Sequence, residues 1–417
     1  MISYDEALQE LLQAAESAVP IEHISVEDAL GRVLAQDVIS PQALPPFDNA
    51  AMDGFALRLA GTSCAAGASM AVAGWHAAGD PAADAMCGAA GAAAVGATGP
   101  GNAWEIMTGA RMPTGLDTVV PIEQVDIVES LDGRPTRIAL RAAVVPGQHV
   151  RLRGQDVEEG EQVLAAGLVL DLNALNLLRA IGIADVAVRA RVRTAVISTG
   201  KELVTAAAQS LQSGQIRDSN RPFLVGRLHA AGSDVVWQGT VSDDVPAFNA
   251  ALDAALAAGA RVVLSTGAVS QGRYDFIPDA LRDRGATIVF HTVAIRPGKP
   301  LLFARLACGA LYFGLPGNPI SAAVGQRFFV EPVLRQLQGL AREQALRLPL
   351  QGPVRTPPGL RYHARARVVL DAQGRLAARV LSGQESFRLK TMLHANAWVV
   401  IEGADDRFPA GTPAPAG

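Results

Sequence analysis

The chain has little of what marks several common protein classes. Its 417 residues include three cysteines, Cys64, Cys87 and Cys308, odd in number and far apart. There is no C-x-x-C pair and no Cys/His spacing of a zinc site, which excludes a disulfide scaffold and a zinc fold and fits a reducing compartment. Charged residues are 18% and aromatics 5%, against ~25% charged in an average soluble chain. The 36 Lys+Arg and 40 Asp+Glu leave a net charge of -4, so the global basic field of a nucleic-acid or acidic-membrane binder is missing. Met1-Ile2-Ser3-Tyr4-Asp5-Glu6 has no signal-peptide character. The longest uncharged stretch, Ala85 to Trp104, is broken by Gly88, Gly91, Gly96, Gly99, Pro100 and Gly101 and is too weakly apolar to span a bilayer. A soluble cytoplasmic protein, with no nucleic-acid or membrane partner, is the expectation.

What is present is small and apolar. Hydrophobic residues reach 49%, ample for more than one core, and the length suggests about three domains. Residues 4–18 read as a helix with Leu8, Leu11 and Leu12 on one face, and a second short helix is predicted over 25–35. Between Pro41 and about Pro146, short apolar stretches separated by Gly, Pro and Asp predict an inserted β-rich unit. A helix at 171–181 follows. From 191 the pattern becomes strand, helix, strand: strands at Val192 to Ile197, Asp234 to Thr240, Arg261 to Leu264, Thr287 to Ile295 and Ala310 to Gly314. Helices are predicted at 219–231, Asp244 to Ala258 with Ser242 as a candidate cap, 275–284, and one long helix over Gly317 to Leu337. This order predicts a mostly parallel, doubly wound sheet. Residues 345–417 read as a small β domain whose tail, Pro409 to Gly417, is expected to fray.

In open parallel sheets, ligands bind beyond the carboxyl ends of the strands. Four turns then come into question: Ser198-Thr199-Gly200-Lys201-Glu202, Ser242-Asp243-Asp244, the loop Ser265 to Gly272 with Gly267 and Ser270, and Leu315-Pro316-Gly317-Asn318-Pro319. Glycines and hydroxyls at helix starts offer N–H groups to an anion. Arg273, Arg296 and Lys299 add positive charge, while Glu202, Asp243 and Asp275 add acceptor-only carboxylates. That mixture suits a phosphorylated ligand with a divalent cation such as Mg²⁺. Each feature also has a plain structural reading: S-T-G as a tight turn, Asp243 or Asp244 as a helix cap, Asp275 as an acid in a helix's first turn. Neither G-x-x-x-x-G-K-[ST] nor a helix-opening G-x-G-x-x-G is present, which disfavours P-loop and dinucleotide chemistry.

Pro45-Pro46-Phe47-Asp48-Asn49-Ala50-Ala51-Met52-Asp53-Gly54-Phe55-Ala56 resembles the signature of the molybdopterin molybdenumtransferases, the family that includes the gephyrin E domain. Further similar segments follow in order: Ile106 to Ala110, Arg151 to Asp156, Ser198 to Leu203, Asp218 to Arg221, Ser242 to Asp244, Ser265 to Gly272, Arg296 to Pro300 and Gly314 to Ser321. The resemblance implies a four-part homodimer: a small unit from 1–45 and 146–178, an inserted β-rich unit at 46–145, a molybdopterin-binding α/β domain at 179–338 and a C-terminal β domain at 345–417. It implies that adenylylated molybdopterin and molybdate are the substrates, that the phosphoanhydride is hydrolysed with release of AMP, and that Mg²⁺ or a similar cation assists. Asp53, Thr108, Glu202, Asp243 and Asp275 would be catalytic, with Asp243 and Asp275 on the cation. Ser198, Thr199, Gly200, Ser265, Gly267, Ser270 and Gly272 would bind the substrate from the first and third turns. Arg296, Lys299, Pro316, Gly317, Asn318 and Ser321 would bind it from the far side. Asp53 and Thr108 would close the site from the other subunit. Asp156 would either brace the Arg151/Arg153 turn or touch substrate. The adenylyltransferase of the same pathway and apo-molybdoenzymes are implied as further partners. Departures from the family pattern fall at Ala50, Lys201, Arg217, Ala268, Pro278, Thr292 and Arg296, which leaves a weakened paralogue that carries molybdopterin as the alternative.

Overall fold

The structure is a computed structural model, and it describes residues 1–16, 18–80, 101–207, 209–269, 275–403 and 406–417. Cys87, Ser270, Gly272 and Arg273 lie outside the described residues, as does most of the Ala85 to Trp104 stretch.

The element that carries the site is a six-stranded sheet. Its order is Asp234–Val241, Arg193–Thr199, Val262–Thr266, Leu311–Leu315, Pro300–Arg305 and Thr287–Thr292. The first four strands run parallel; Pro300–Arg305 is antiparallel to its neighbours on both sides. The sheet is therefore mostly parallel, as expected, but the strand at Pro300–Arg305 was not foreseen, because its start follows the Pro297-Gly298 break. Both faces are covered. Val196, Leu264 and Phe313 point into one core cluster, Ala195, Val263 and Tyr312 into the other. Double burial explains why these strands read as unbroken apolar runs instead of alternating ones.

The helices show the same local logic with several corrections. Helix α1, Tyr4–Ala14, starts in a capping box in which the Ser3 side chain accepts from the Glu6 N–H and Glu6 reaches back to Ser3. It is shorter than predicted because the chain leaves it to dock the Val19 N–H on the Leu337 carbonyl at 3.0 Å. The helix predicted over 25–35 is only a three-residue 3-10 turn, Val26–Asp28, since Val33 and Leu34 bridge to Val169 and Val188 instead. Helix α2 spans Leu172–Ala180 and α3 spans Asn220–Ala230. Helix α4, Val245–Ala257, is capped by Asp244, whose carboxylate accepts from the Ala247 N–H; the Ser242 hydroxyl donates to Asp244 and is not itself the cap. Helix α5 spans Ile277–Asp283. The long helix expected over Gly317 to Leu337 is three pieces: α6 at Pro319–Gly325, a π segment at Gln326–Val330, and α7 at Glu331–Leu337. Pro332 lacks an N–H for the helical ladder, and the wider π turn before it accommodates the loss.

The remaining units frame this domain. The inserted unit is a six-stranded sheet in the order Thr118–Pro121, Gly54–Leu57, Asn102–Ile106, Ser69–His76, Arg134–Leu140, Val125–Leu131. A small unit pairs Ile21–Ser25 with Asp185–Arg189 and packs α2 over Val26, Leu34 and Val188. The C-terminal sheet joins Arg361–Leu370, Ala397–Ile401, Pro413–Ala416 and Leu346–Pro349, and takes in Ile295–Arg296 from the α/β region. Its last strand corrects the frayed tail: the Pro-Ala-Pro-Ala alternation turns Ala414 and Ala416 inward, where both are buried, and the prolines outward. No helix among the described residues is long and apolar enough to cross a membrane.

Helix α1 packs Tyr4, Ala7 and Leu11 into the same cluster as Val196, Phe313 and Leu334, so the first turns of the chain close the α/β core. Leu11→Ala should then destabilise that domain by about 3 kcal/mol, the cost of a buried leucine truncated in a packed core. Denaturant unfolding followed through the α/β domain checks this; an unchanged midpoint would mean that α1 is peripheral.

Candidate active site

The four turns converge because each is held by its neighbour. Thr199 is buried, and its hydroxyl donates to the Thr266 carbonyl at 3.1 Å. Gly267 follows Thr266 with a φ of +91°, and a Cβ there would lie 2.7 Å from the Thr199 carbonyl and hydroxyl oxygens. Only glycine satisfies both the dihedral and the space. Gly317 rests against Gly267 in turn, at 3.9 Å from a built Cβ to the Gly267 Cα. The Lys201 N–H donates to Asp243 Oδ2 at 3.1 Å, which joins the first turn to the second. Gly298 lies against Ser321 in α6, 3.4 Å from a built Cβ to the Ser321 carbonyl, so the Arg296 to Pro300 segment reaches the same edge. Asp243, Lys299, Gly317 and Asn318 are exposed there; Glu202 and Asp275 are half-buried, and Pro316 is buried.

Like that of Thr199, two more expected ligand hydroxyls point elsewhere. Ser198 and Ser265 are fully buried. The Ser198 hydroxyl donates to Asp218 at 3.3 Å, and Ser265 accepts from the Tyr312 hydroxyl at 2.5 Å. Burial pushes the Tyr312 phenol well above its ordinary value, so it stays a donor. These serines support the edge from within the sheet layers, because the last-but-one residue of a doubly covered strand faces a core.

Asp53 and Thr108 form a separate pair on the inserted unit. Asp53 Oδ1 accepts from the Thr108 N–H at 2.6 Å and from its hydroxyl at 2.7 Å. Those bonds, the backbone one foremost, hold the Asp53 carboxyl below the usual aspartate range. The loop is fixed by a close approach: a Cβ on Gly54 would fall 1.9 Å from the Val120 carbonyl oxygen. Among the described residues, neither Asp53 nor Thr108 makes a hydrogen bond or ion pair with the α/β edge. Among the described residues, the side chains that brace the arginine turn are Asp48 and Gln155. Asp48 accepts from the Arg153 N–H at 2.7 Å and Gln155 from the Leu152 N–H at 3.1 Å, while the Asp156 side chain is exposed.

Sequence reasoning gave no role to Asp218, Thr240 and Asn220. Asp218 was part of a matching segment, but nothing in its spacing signals that it lies under the turns. It also passed over a pocket of about 330 Å³ lined by Arg296, Arg355, Thr356, Tyr362 and Asp406, where the α/β and C-terminal units meet. Arg296 reaches that pocket because its strand pairs with Arg361 and Tyr362. Among the described residues, no group of three or more His, Cys, Asp or Glu is placed to hold a metal by itself.

Comparison with known proteins agrees with this layout. Residues 2–182 match the MoeA N-terminal region (domain I and II), residues 195–336 a "probable molybdopterin binding domain", and residues 347–416 the MoeA C-terminal region (domain IV). A Synechococcus elongatus protein named molybdopterin molybdenumtransferase is 36% identical over 99% of this chain and 98% of its own length. A Haemophilus influenzae protein of the same name is 33% identical over 99% of this chain and 97% of its own. The chain belongs to the molybdopterin molybdenumtransferase family. The fold agrees as well: a Pyrococcus horikoshii molybdopterin biosynthesis MoeA protein superposes with a TM-score of 0.80 at 26% identity, covering 100% of this chain and 99% of that one.

The departures from the family pattern have distinct local effects. Ala268 sits at φ +50°, a left-handed conformation that costs a Cβ-bearing residue roughly 1 kcal/mol. The Arg217 guanidinium donates to the Ala206 and Gln209 carbonyls at 2.6 and 2.7 Å. Pro278 is buried inside the first turn of α5, and Thr292 pairs with Pro300 next to Lys299.

Two measurements follow from this geometry. Thr108→Val removes one of the two bonds that favour the ionised Asp53 carboxylate, so the Asp53 titration midpoint, read by NMR, should rise toward the ordinary aspartate value. The lowered value means that this interaction is intact above the ordinary aspartate range and is lost as pH falls through the depressed midpoint. An unmoved midpoint would contradict the pairing. Ala268→Gly should relieve the positive φ and stabilise the protein by about 1 kcal/mol in denaturant unfolding; a loss of stability would show that the turn tolerates the alanine without strain.

Proposed function

We propose that the chain inserts molybdenum into adenylylated molybdopterin: the phosphoanhydride is hydrolysed, AMP leaves, and the metal of molybdate is placed on the dithiolene sulfurs. The observation that carries this reading is the convergence of four strand-end turns with Glu202, Asp243 and Lys299 at one edge. Lys299 and Arg296 offset phosphate and oxyanion charge. Asp243 and Asp275 orient the attacking water. Asp243 and Asp275 are acceptor-only carboxylates, the ligand type that Mg²⁺ takes together with phosphate oxygens and water. When bound, the ion neutralises phosphate charge as the bond breaks.

Asp53, its pKa lowered by Thr108, stands preformed, and among the described residues neither side chain is bonded to the edge. This favours a homodimer in which each edge is completed by the pair of the other copy. The setting is cytoplasmic, with the adenylyltransferase and apo-molybdoenzymes as flanking partners. A second reading, a carrier that binds molybdopterin and inserts metal poorly, is favoured by Pro278 and Thr292, which bring no cation to the edge.

Reconstitution of purified protein with adenylylated molybdopterin, molybdate and Mg²⁺ tests both readings. Active cofactor should form, and Asp243→Asn should slow it roughly hundredfold, the scale of losing a group that orients the reacting water. Folded protein that neither binds pterin nor forms cofactor would reject the proposal. Tight binding without turnover, raised by Thr292→Lys, would select the carrier.

A further inference from the structure

We infer that the short segment Asp218-Ser219-Asn220-Arg221 sets the spacing of all four turns, with Asp218 holding three of them and Asn220 the fourth. Asp218 has a side chain only 1% exposed. A carboxylate buried to that degree must be met by donors. Oδ1 accepts from the Ser198 hydroxyl at 3.3 Å and the Arg221 N–H at 3.1 Å. Oδ2 accepts from the Thr240 hydroxyl at 2.8 Å and faces Arg221 Nε at 3.3 Å. The Thr266 hydroxyl donates to Ser198 Oγ at 3.3 Å and extends the chain to a third strand.

The strand register explains why one carboxylate can do this. Ser198 lies level with Thr240 on one side and with Thr266 on the other. The three hydroxyls therefore form a row across adjacent parallel strands, each just ahead of a turn. A chain of hydrogen bonds ending on an anion orients every member toward it, so the three strand ends are fixed relative to one another. Two residues further on, Asn220 donates from Nδ2 to the Gly317 carbonyl at 2.7 Å and ties down the last turn. The segment itself is anchored where the Asp218 N–H donates to the Val204 carbonyl at 3.1 Å. Asp218 and Asn220 are thus positioning residues: they touch the supports of the ligand-binding turns, and ligand groups meet the turns. What the turns hold rests on the function proposed above; their spacing does not.

Hydrogen exchange on the ligand-free full-length protein tests the spacing directly. The Gly200, Asp244 and Gly267 amides, bonded to Val241, Ser242 and Leu315 carbonyls, report on the first three turns. The Ile320 and Ala322 amides, bonded to Ser386 and Asn318, report on the fourth. Asp218→Asn turns an amide donor toward hydroxyl donors and should speed exchange at the first set about tenfold or more, the scale of one lost charge-assisted hydrogen bond, while sparing the second. Asn220→Ala should do the reverse. Thr240→Val should speed Asp244 and Gly200, and Thr240→Ser should restore them; this pair decides the matter if Asp218→Asn does not fold. Unchanged exchange, or acceleration spread evenly through Pro300–Arg305 as well, overturns the inference. In parallel, Asp218→Asn should raise KM for adenylylated molybdopterin more than it lowers kcat. Wild-type protein that binds no pterin would refute the function, and the exchange pattern would still decide the spacing.

Discussion

A parallel sheet covered on both faces leaves its carboxyl edge as the place where chain and ligand can meet. The four strands around Arg193–Thr199 and Val262–Thr266 satisfy each other's backbone groups, and their side chains fill two cores. The turns beyond them are therefore anchored to rigid elements. Close contacts decide their residues: Gly267 must lack a Cβ because Thr199 occupies that space. Turns built this way are arranged before any ligand arrives.

The charge pattern follows from the same constraint. Buried groups at the edge are neutral hydroxyls or are compensated, as Asp218 is by donors and Arg221. Asp243 and Lys299 are exposed to water. Asp53 is kept ionised by Thr108, on a different unit, where the loop is locked by Gly54 against Val120. Asp53 and the α/β edge lie on separate units, and among the described residues no hydrogen bond joins them.

Much of the fold was legible because long apolar runs with helical stretches between them allow few alternatives. The Asp244 to Ala258 helix and the strand before Ser198 lie within a residue or two of expectation. Misreadings came where tertiary pairing outweighed local pattern. Residues 25–35 gave up a helix for bridges made by Val33 and Leu34, and the Pro/Ala tail became an inner strand because Ala414 and Ala416 could be buried. The turns were legible as motifs; which of their hydroxyls faced inward was not. Ser198 and Ser265 look alike in sequence, yet each is claimed by a partner far along the chain, Asp218 or Tyr312.

Composition and residue order by themselves determined the apolar runs long enough for doubly covered strands and the glycine turns that directly follow them. Those properties depend on local chemistry and survive without coordinates. Only the tertiary structure decided that α1 closes the α/β core, that Asp218 meets the Ser198 and Thr240 hydroxyls, and that Asp53 is paired with Thr108. Contacts between residues tens to hundreds of positions apart depend on strand order and register, which no local pattern encodes.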